Sequence, residues 1–425
     1  MSRTAADSFD TRVPVLVLKV GHYTLHHGGV GIVRSLGRVG VSVYGVHEDR
    51  FAPAARSKYL QGSLVWPNDN LEVDQLLEGM AAIGKSLDHP TILIAEHATT
   101  LDRWFVFPRP PSGLPRAVAS KKSLYLLCKR LGVPCPEAVF PSSRDEVEAF
   151  LDRAVFPVVV KGAEGWLLPR GAGVKSTVIA ETPEQLLDIY HRMERRSGTS
   201  PMFQEYIPRG AGQDWIFHGY CDARSDCLVG FTGVKVRSYP PYAGPTTLGR
   251  CVPNEALQRQ AEELFKALSY RGIMDLDYRL DLRDGQYKLL DFNPRVGAQF
   301  RLFVNDAGID VVRALHLDLT DRAVPRGRPV EGRAFVVEPY DLLASWGYHH
   351  DGGLTLRDWL RSLKGVKEPA WFATDDVAPF LVMCVRFLLR AVRRGLGIEL
   401  NSGRQGPPRY LPRRRRRKPP SVHRC

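Results

Sequence analysis

Asp277, Asp291 and Asn293 are the residues whose types and spacing point most directly to chemistry. They lie in GIMDLDYRLDLRDGQYKLLDFNPRVGAQFR, residues 272–301. Two apolar-alternating runs, Ile273–Leu282 and Tyr287–Phe292, flank the turn signal Arg283-Asp284-Gly285, so the stretch predicts a β-hairpin. Asp291 and Asn293, two residues apart, share one strand face. A three-residue loop with Gly285 in the left-handed position puts Asp277 directly opposite Asp291, with Cβ atoms about 5 Å apart. Two carboxylates that close require a cation between them. Hard oxygen ligands in small number, with room left for phosphate oxygens, suit Mg²⁺ (or Mn²⁺). Arg295 follows Pro294 and presents a guanidinium beside this metal site.

Several elements are needed to bring partners to that hairpin. SKKSLYLLCKRLGVPCPEAVF, from Ser120, reads as a helix with a Gly132 stop and an extended exit. Ser143-Arg144-Asp145-Glu146 is a capping box that opens the next helix. The run Phe156–Lys161 is a strand that delivers Lys161 to a glycine-rich segment, GAEGWLLPRGAG, read as a flap whose Gly171 and Gly173 let backbone N–H groups approach phosphate oxygens. Lys175 in that flap reads as solvated. GAGVKST is not a P-loop, because Val174 stands where that motif needs glycine. Trp215–Tyr220 and Leu228–Val236 form a second hairpin, and Glu255–Tyr270 is an amphipathic helix. The run FVNDAGIDVVRALHLDLT after Arg301 is another helix, with Asp310 near its start.

The order Asp277…Asp291-Phe-Asn293-Pro-Arg295 resembles the metal-binding signature of ATP-grasp enzymes, in particular their carboxylate–amine ligases, with Asp where Glu is commoner. The resemblance extends from about residue 115 to 320, and more loosely over 13–375. It implies that Lys121 and Lys161 flank the triphosphate. Ser120 stands where the family usually has Asp before the first lysine. It implies that Glu205, Tyr206 and Ile207 form the hinge that meets the adenine edge, with Asp214 near the ribose. Arg237 is similar to the phosphate- or substrate-facing cation, and shares the expected catalytic role with Arg295. The implied reaction is ATP-dependent amide formation between small-molecule carboxylate and amine substrates through an acyl phosphate, releasing ADP and phosphate. Arg237, Arg295 and Arg301 point to an acidic carboxylate such as an amino acid on charge grounds. The alternatives are an ATP-grasp small-molecule kinase and a non-catalytic ATP-binding protein.

The amino-terminal part reads as a βαβ opening. Val13–Val20 is a strand, Gly28-Gly29-Val30-Gly31 a turn, Val30–Arg38 a helix and Val41–Val46 a second strand. Asp69–Ile83 and Thr91–Ala95 add a helix and a strand. GGVG is not GxGxxG and no acid follows at dinucleotide spacing, which argues against NAD. The βαβ pattern predicts a Rossmann-like parallel-sheet domain, and the resemblance implies that an ATP-grasp domain of two α+β subdomains follows it, so the expected fold class is α/β with α+β character in the catalytic part. Prolines 108, 110, 111 and 115 mark the linker. The expected divisions are a disordered 1–12, domains at 13–115 and 116–325, a carboxy-terminal region 326–392 and a basic disordered tail 393–425.

The chain of 425 residues is long enough for two or three packed units. Its seven cysteines are odd in number and scattered, which predicts a reducing, cytoplasmic setting. Neither these cysteines nor the pairs His26-His27 and His349-His350 have zinc spacing. The net charge is +13, but Arg393–Cys425 holds eleven Arg or Lys against Glu399 alone, which leaves +3 for the rest. The basicity belongs to an appendage, so no nucleic-acid partner is expected. The run Ala378–Val392, apolar but short and interrupted by Arg386 and Arg390, reads as a helix packed on the body and the tail as solvated, with contact of the two to an anionic membrane the less favoured alternative. A homodimer is compatible with the sequence.

Overall fold

The computed structural model describes residues 8–18, 27–66, 73–86, 91–94, 101, 104–163, 177–196, 200–208, 210, 212–242, 244–395 and 409–412. The chain divides into two compact units, one of residues 108–370 and one of residues 2–107 with 371–425.

The second unit is built on a six-stranded sheet. Its order is Arg409–Pro412, Leu60–Val65, Val43–His47, Val15–Leu18, Thr91–Ile94, Phe105–Val106, parallel except for the first strand. The central strand is VLVL, with Val15, Leu16 and Val17 buried, as a strand covered on both faces requires. The helix His27–Gly37 contains the glycines expected to form a turn, so that expectation is corrected. Gly28, Gly29 and Gly31 are buried within it. A helical glycine costs about 1 kcal/mol against alanine, and burial of this helix overrides that local preference here. A Cβ on Gly37 in its last turn would come within 2.5 Å of Tyr59. Part of the tail expected to be disordered is also corrected, since Arg409–Pro412 pairs with Leu60–Val65 at the sheet edge. Arg413–Lys418, the flap residues Gly171, Gly173 and Lys175, and residues 1–7 lie outside the described residues.

The larger unit carries the site. Its seven-stranded sheet runs Gln286–Asn293, Gly272–Asp281, Asp214–Cys221, Cys227–Ser238, Thr246–Cys251, Ala334–Val336, Val366–Pro369, antiparallel except for the last pair. One face is closed by the helix Glu255–Leu268, whose Leu257, Ala261, Leu264, Phe265 and Leu268 pack on Phe217, Leu276, Tyr278 and Phe292. These are the apolar positions of a 3.6-residue repeat meeting alternate positions of strands. A smaller antiparallel sheet, Ala138–Val139, Pro201–Glu205, Val158–Gly162, Thr177–Ala180, is backed by the helices Arg144–Leu151 and Pro183–Arg196. The expected carboxy-terminal region 326–392 is not one unit. Ala334–Val336 and Val366–Pro369 extend the large sheet, whereas Trp371 onward belongs with the amino-terminal unit. Strand pairing, which no local composition signals, decides that division.

Candidate active site

The hairpin that carries the acids forms as expected, by a different route. Asp281 pairs with Gln286, so the loop has four residues, with Gly285 left-handed at φ 73°. Three pairs further on Leu290 has no partner and the ladder shifts, which restores Asp277 opposite Asp291 and Asp275 opposite Asn293. The bulge adds back the residue that the longer turn takes away. Asp275, Asp277, Asp291 and Asn293 therefore line one face, opposite the face covered by the helix Glu255–Leu268.

Neighbouring strands bring cations to this face. The helix Lys121–Leu131 starts beside the hairpin, its first turn capped by the Ser120 side chain, which accepts from the Ser123 N–H. Lys121 Nζ bonds the Asp291 carboxylate, and its backbone N–H donates to Ala163 O at 3.2 Å, which ties it to the strand of Lys161. Lys235 Nζ lies 2.7 Å from Asp277 Oδ1. Arg279 bonds Asp214 at 2.7 Å and donates to Ile207 O at 3.3 Å. The structure thus gathers Lys121, Lys161, Asp277, Asp291 and Asn293, and links Asp214 and the Ile207 end of the hinge strand to them through Arg279. Glu205 binds Arg283 through its carboxylate and accepts the Glu137 N–H at 3.2 Å. Its side chain fixes the hairpin loop against the small sheet, and Tyr206 is half-buried beside it.

The pKa shifts follow the charges. Burial raises Asp277, helped by Asp275 and Asp291 and opposed by Lys235. Burial would also raise Asp291, but Lys121 and Lys161 outweigh it and hold that carboxyl below its usual range. Lys161 is only 8% exposed; burial, with Lys121 and Arg279 adding repulsion, lowers it to about 8. A triphosphate favours the ammonium form, so ATP affinity is expected to fall as pH rises through about 8. Proton uptake should accompany binding near that pH, read by calorimetry in buffers of different ionisation enthalpy. Lys161→Met should abolish the uptake and weaken ATP by about 1.5–3 kcal/mol, the value of one charge-assisted hydrogen bond. Binding without proton uptake in the wild type would contradict this.

Two expected roles are corrected. Arg237 is 4% exposed and forms a fork on Asp341, Nε to Oδ1 at 2.9 Å and Nη2 to Oδ2 at 2.8 Å, with Nη1 donating to Ser362 Oγ at 2.7 Å. It joins its strand to the helix Glu338–His350. Arg301 is likewise in a buried pair with Asp310 at 2.6 Å and also bonds Glu368. Both arginines are neutralised inside the fold, because ion-paired burial costs less than leaving either charge unpaired. Of the three arginines expected to meet an acidic substrate, Arg295 alone is exposed.

Sequence reasoning missed three contributors. Lys235 faces Asp277, Arg279 joins Asp214, and a buried His218 has Nε2 2.9 Å from Asp275 Oδ1. His218, Arg295 and Lys235 hold the Asp275 carboxyl below its usual range against the opposing effect of burial. The loop after Asn293 crosses close over this pair: a Cβ on Gly297 would come within 2.4 Å of His218 and 2.5 Å of Asp275. Strand alternation would have put Asp275 and Asp277 on one face; the neighbour strand that supplies His218 had no such signal.

The fit of the acids to a divalent cation can be judged from their donors. Asp277 Oδ1 is buried and has no aligned hydrogen bond, although a lysine ammonium stands close. With Asp291 and Asn293 it gives two carboxylates and an amide oxygen. No group of three or more His, Cys, Asp or Glu encloses one point among the described residues. The set suits an oxygen-preferring ion that keeps ligands for phosphate or water.

The same arrangement of sheets occurs in solved enzymes. A purK N5-carboxyaminoimidazole ribonucleotide synthetase in complex with ADP overlays with a TM-score of 0.58 at 10% identity, covering 76% of this chain and 81% of that one. An L-amino acid ligase from Bacillus licheniformis overlays at 0.57 and 14% identity, covering 76% and 78%. The chain has the ATP-grasp fold. No protein-family model matches it. Among curated proteins, D-aspartate ligase of Enterococcus faecium (strain Aus0004) is 26% identical over 232 residues, 52% of this chain and 54% of that protein. The arginine-specific carbamoyl phosphate synthase large chain of Geobacillus stearothermophilus is 24% identical over 210 residues, 19% of its length. The chain thus spans about half of the first ATP-grasp relative and a fifth of the second. No described helix is long and apolar enough to cross a membrane.

Proposed function

We propose that the protein is an ATP-dependent carboxylate–amine ligase that joins an amino acid or similar carboxylate to an amine. The observation that carries this reading is the register Asp277 opposite Asp291 with Lys121, Lys161 and Lys235 on the same face. The similarity to a D-aspartate ligase and the shared fold with an L-amino acid ligase support a substrate of the amino acid class.

The chain's own groups position and neutralise. Lys121 and Lys161 hold the phosphates of ATP, and the strand end at Glu205–Ile207 meets the base. Asp277, Asp291 and Asn293 would hold Mg²⁺ (or Mn²⁺), which supplies charge neutralisation on phosphate oxygens when bound. The substrate carboxylate, oriented beside Arg295, attacks the γ-phosphorus; the bond to the β,γ-bridging oxygen breaks and ADP leaves. The amine nitrogen then attacks the acyl carbon, the bond from carbon to the phosphorylated oxygen breaks, and the ammonium proton passes to solvent or a site base. Preorganised lysines need no reorganisation as charge moves along the phosphates, the source of most catalytic gain in such sites.

The test follows one oxygen. A substrate labelled with ¹⁸O in its carboxylate should place one labelled oxygen in each phosphate released, in step with amide formed. Unlabelled phosphate, or AMP and pyrophosphate in place of ADP, would overturn the acyl-phosphate route.

A further inference from the structure

The helix Ala378–Gly395 turns its apolar side outward. Leu381, Val385, Leu388, Leu389 and Val392 recur at helical spacing and are 49–64% exposed. The opposite side packs inward through Met383, and Arg386 on it bonds Asp49 at 2.8 Å. A helix lying on its own domain normally shows the reverse, and such a continuous aliphatic stripe is uncommon on a protein surface that stays wet.

Charge decides what covers it. The helix contains Arg386, Arg390, Arg393 and Arg394 and no acid, and the chain from Arg393 onward carries eleven basic residues against one acid. Two copies meeting through this stripe would bring like charges together, which disfavours self-association. The loop that Arg386 grips adds a matching rim. Phe51 is 49% exposed, with the guanidinium of Arg50 4.8 Å and that of Arg56 5.5 Å from its ring centre. An apolar ring flanked by cations, beside a stripe of exposed aliphatic side chains, is the composition of an interfacial segment. A protein interface would instead centre on buried aromatic or arginine anchors. At about 1.5 Å per residue the helix fits along a bilayer surface.

We propose that this helix and the Asp49–Arg56 loop attach the protein reversibly to an anionic lipid surface. The full-length protein is tested by sedimentation with vesicles of phosphatidylcholine alone and with one-third phosphatidylglycerol. It should partition onto the anionic vesicles only, less so as salt rises. Leu381→Glu with Leu388→Glu should lower that partition about tenfold or more, with circular dichroism and ADP release on small substrates unchanged. Leu381→Gln with Leu388→Gln should lower it less. Protein left in solution with both vesicles, equal binding to both, or vesicle binding indifferent to these substitutions would each overturn the proposal. A concentration-dependent dimer, or a stable complex with an acidic protein, that the same substitutions abolish while vesicles bind nothing, would assign the stripe to that occupant and overturn it too.

Discussion

Asp291→Asn is expected to lower ADP release by about 10²–10³-fold while ATP still binds within a few-fold of the wild type, the size of loss seen when one charge-stabilising group is removed from a transition state. The asymmetry follows from the charges. Asp291 is bonded by Lys121 and lies close enough to Lys161 to be held ionised. Substituting the amide releases both lysines to the triphosphate, so the ground state loses little. The acid is lost where charge moves in the reaction. Titration calorimetry with ATP and a coupled assay for ADP separate these effects. Equal losses in affinity and turnover would mean that Asp291 only shapes the nucleotide pocket, and wild-type turnover under excess EDTA would remove the cation from the reading altogether.

The second large effect lies away from the reacting groups. Asp341→Ala should destabilise the unit of residues 108–370 by about 3–5 kcal/mol, the cost of leaving one partner of a buried ion pair uncompensated. Arg237 would lose both arms of its fork. The Asp341 carboxylate also accepts from Thr247 Oγ1 at 3.1 Å and Trp359 Nε1 at 3.0 Å, so several donors are orphaned at once. Urea unfolding measures the loss. Glu148→Ala, which breaks the exposed pair with Arg144, provides the contrast, since such a pair contributes little. Removing both members of the buried pair, in Arg237→Met with Asp341→Leu, should recover much of the stability. A catalytic Arg237 would show the opposite pattern: stable variants with lost turnover.

The placement of Lys121, Lys161, Asp277 and Asp291 on their elements was legible because each element carries a local signal. Ser120 and Gly132 bracket the helix that starts at Lys121, and the alternation in KLLDFN puts Asp291 with Asn293. Arg237 was misjudged because its partner is 104 residues away and nothing at Lys235-Val-Arg237 distinguishes a cation that faces substrate from one that faces a buried carboxylate. His218 was missed for a related reason. The two hairpins are local, but the junction of Asp214–Cys221 with Gly272–Asp281 joins strands more than fifty residues apart, and only that junction puts His218 beside Asp275. The glycines of the first helix misled in the other direction, since burial of that helix reversed a local preference.

The bulge at Leu290 also bears on how such a gene can drift. In a regular hairpin, gain or loss of one residue in the turn rotates every later side chain to the other face, and the metal-facing acids would point into the core. Here the unpaired Leu290 offsets the one-residue change of register that the four-residue loop imposes, so loop and bulge together keep Asp277 opposite Asp291. A one-residue change in the loop can therefore be compensated by gaining or losing the matching residue at the bulge, and the chemistry the hairpin frames stays in register.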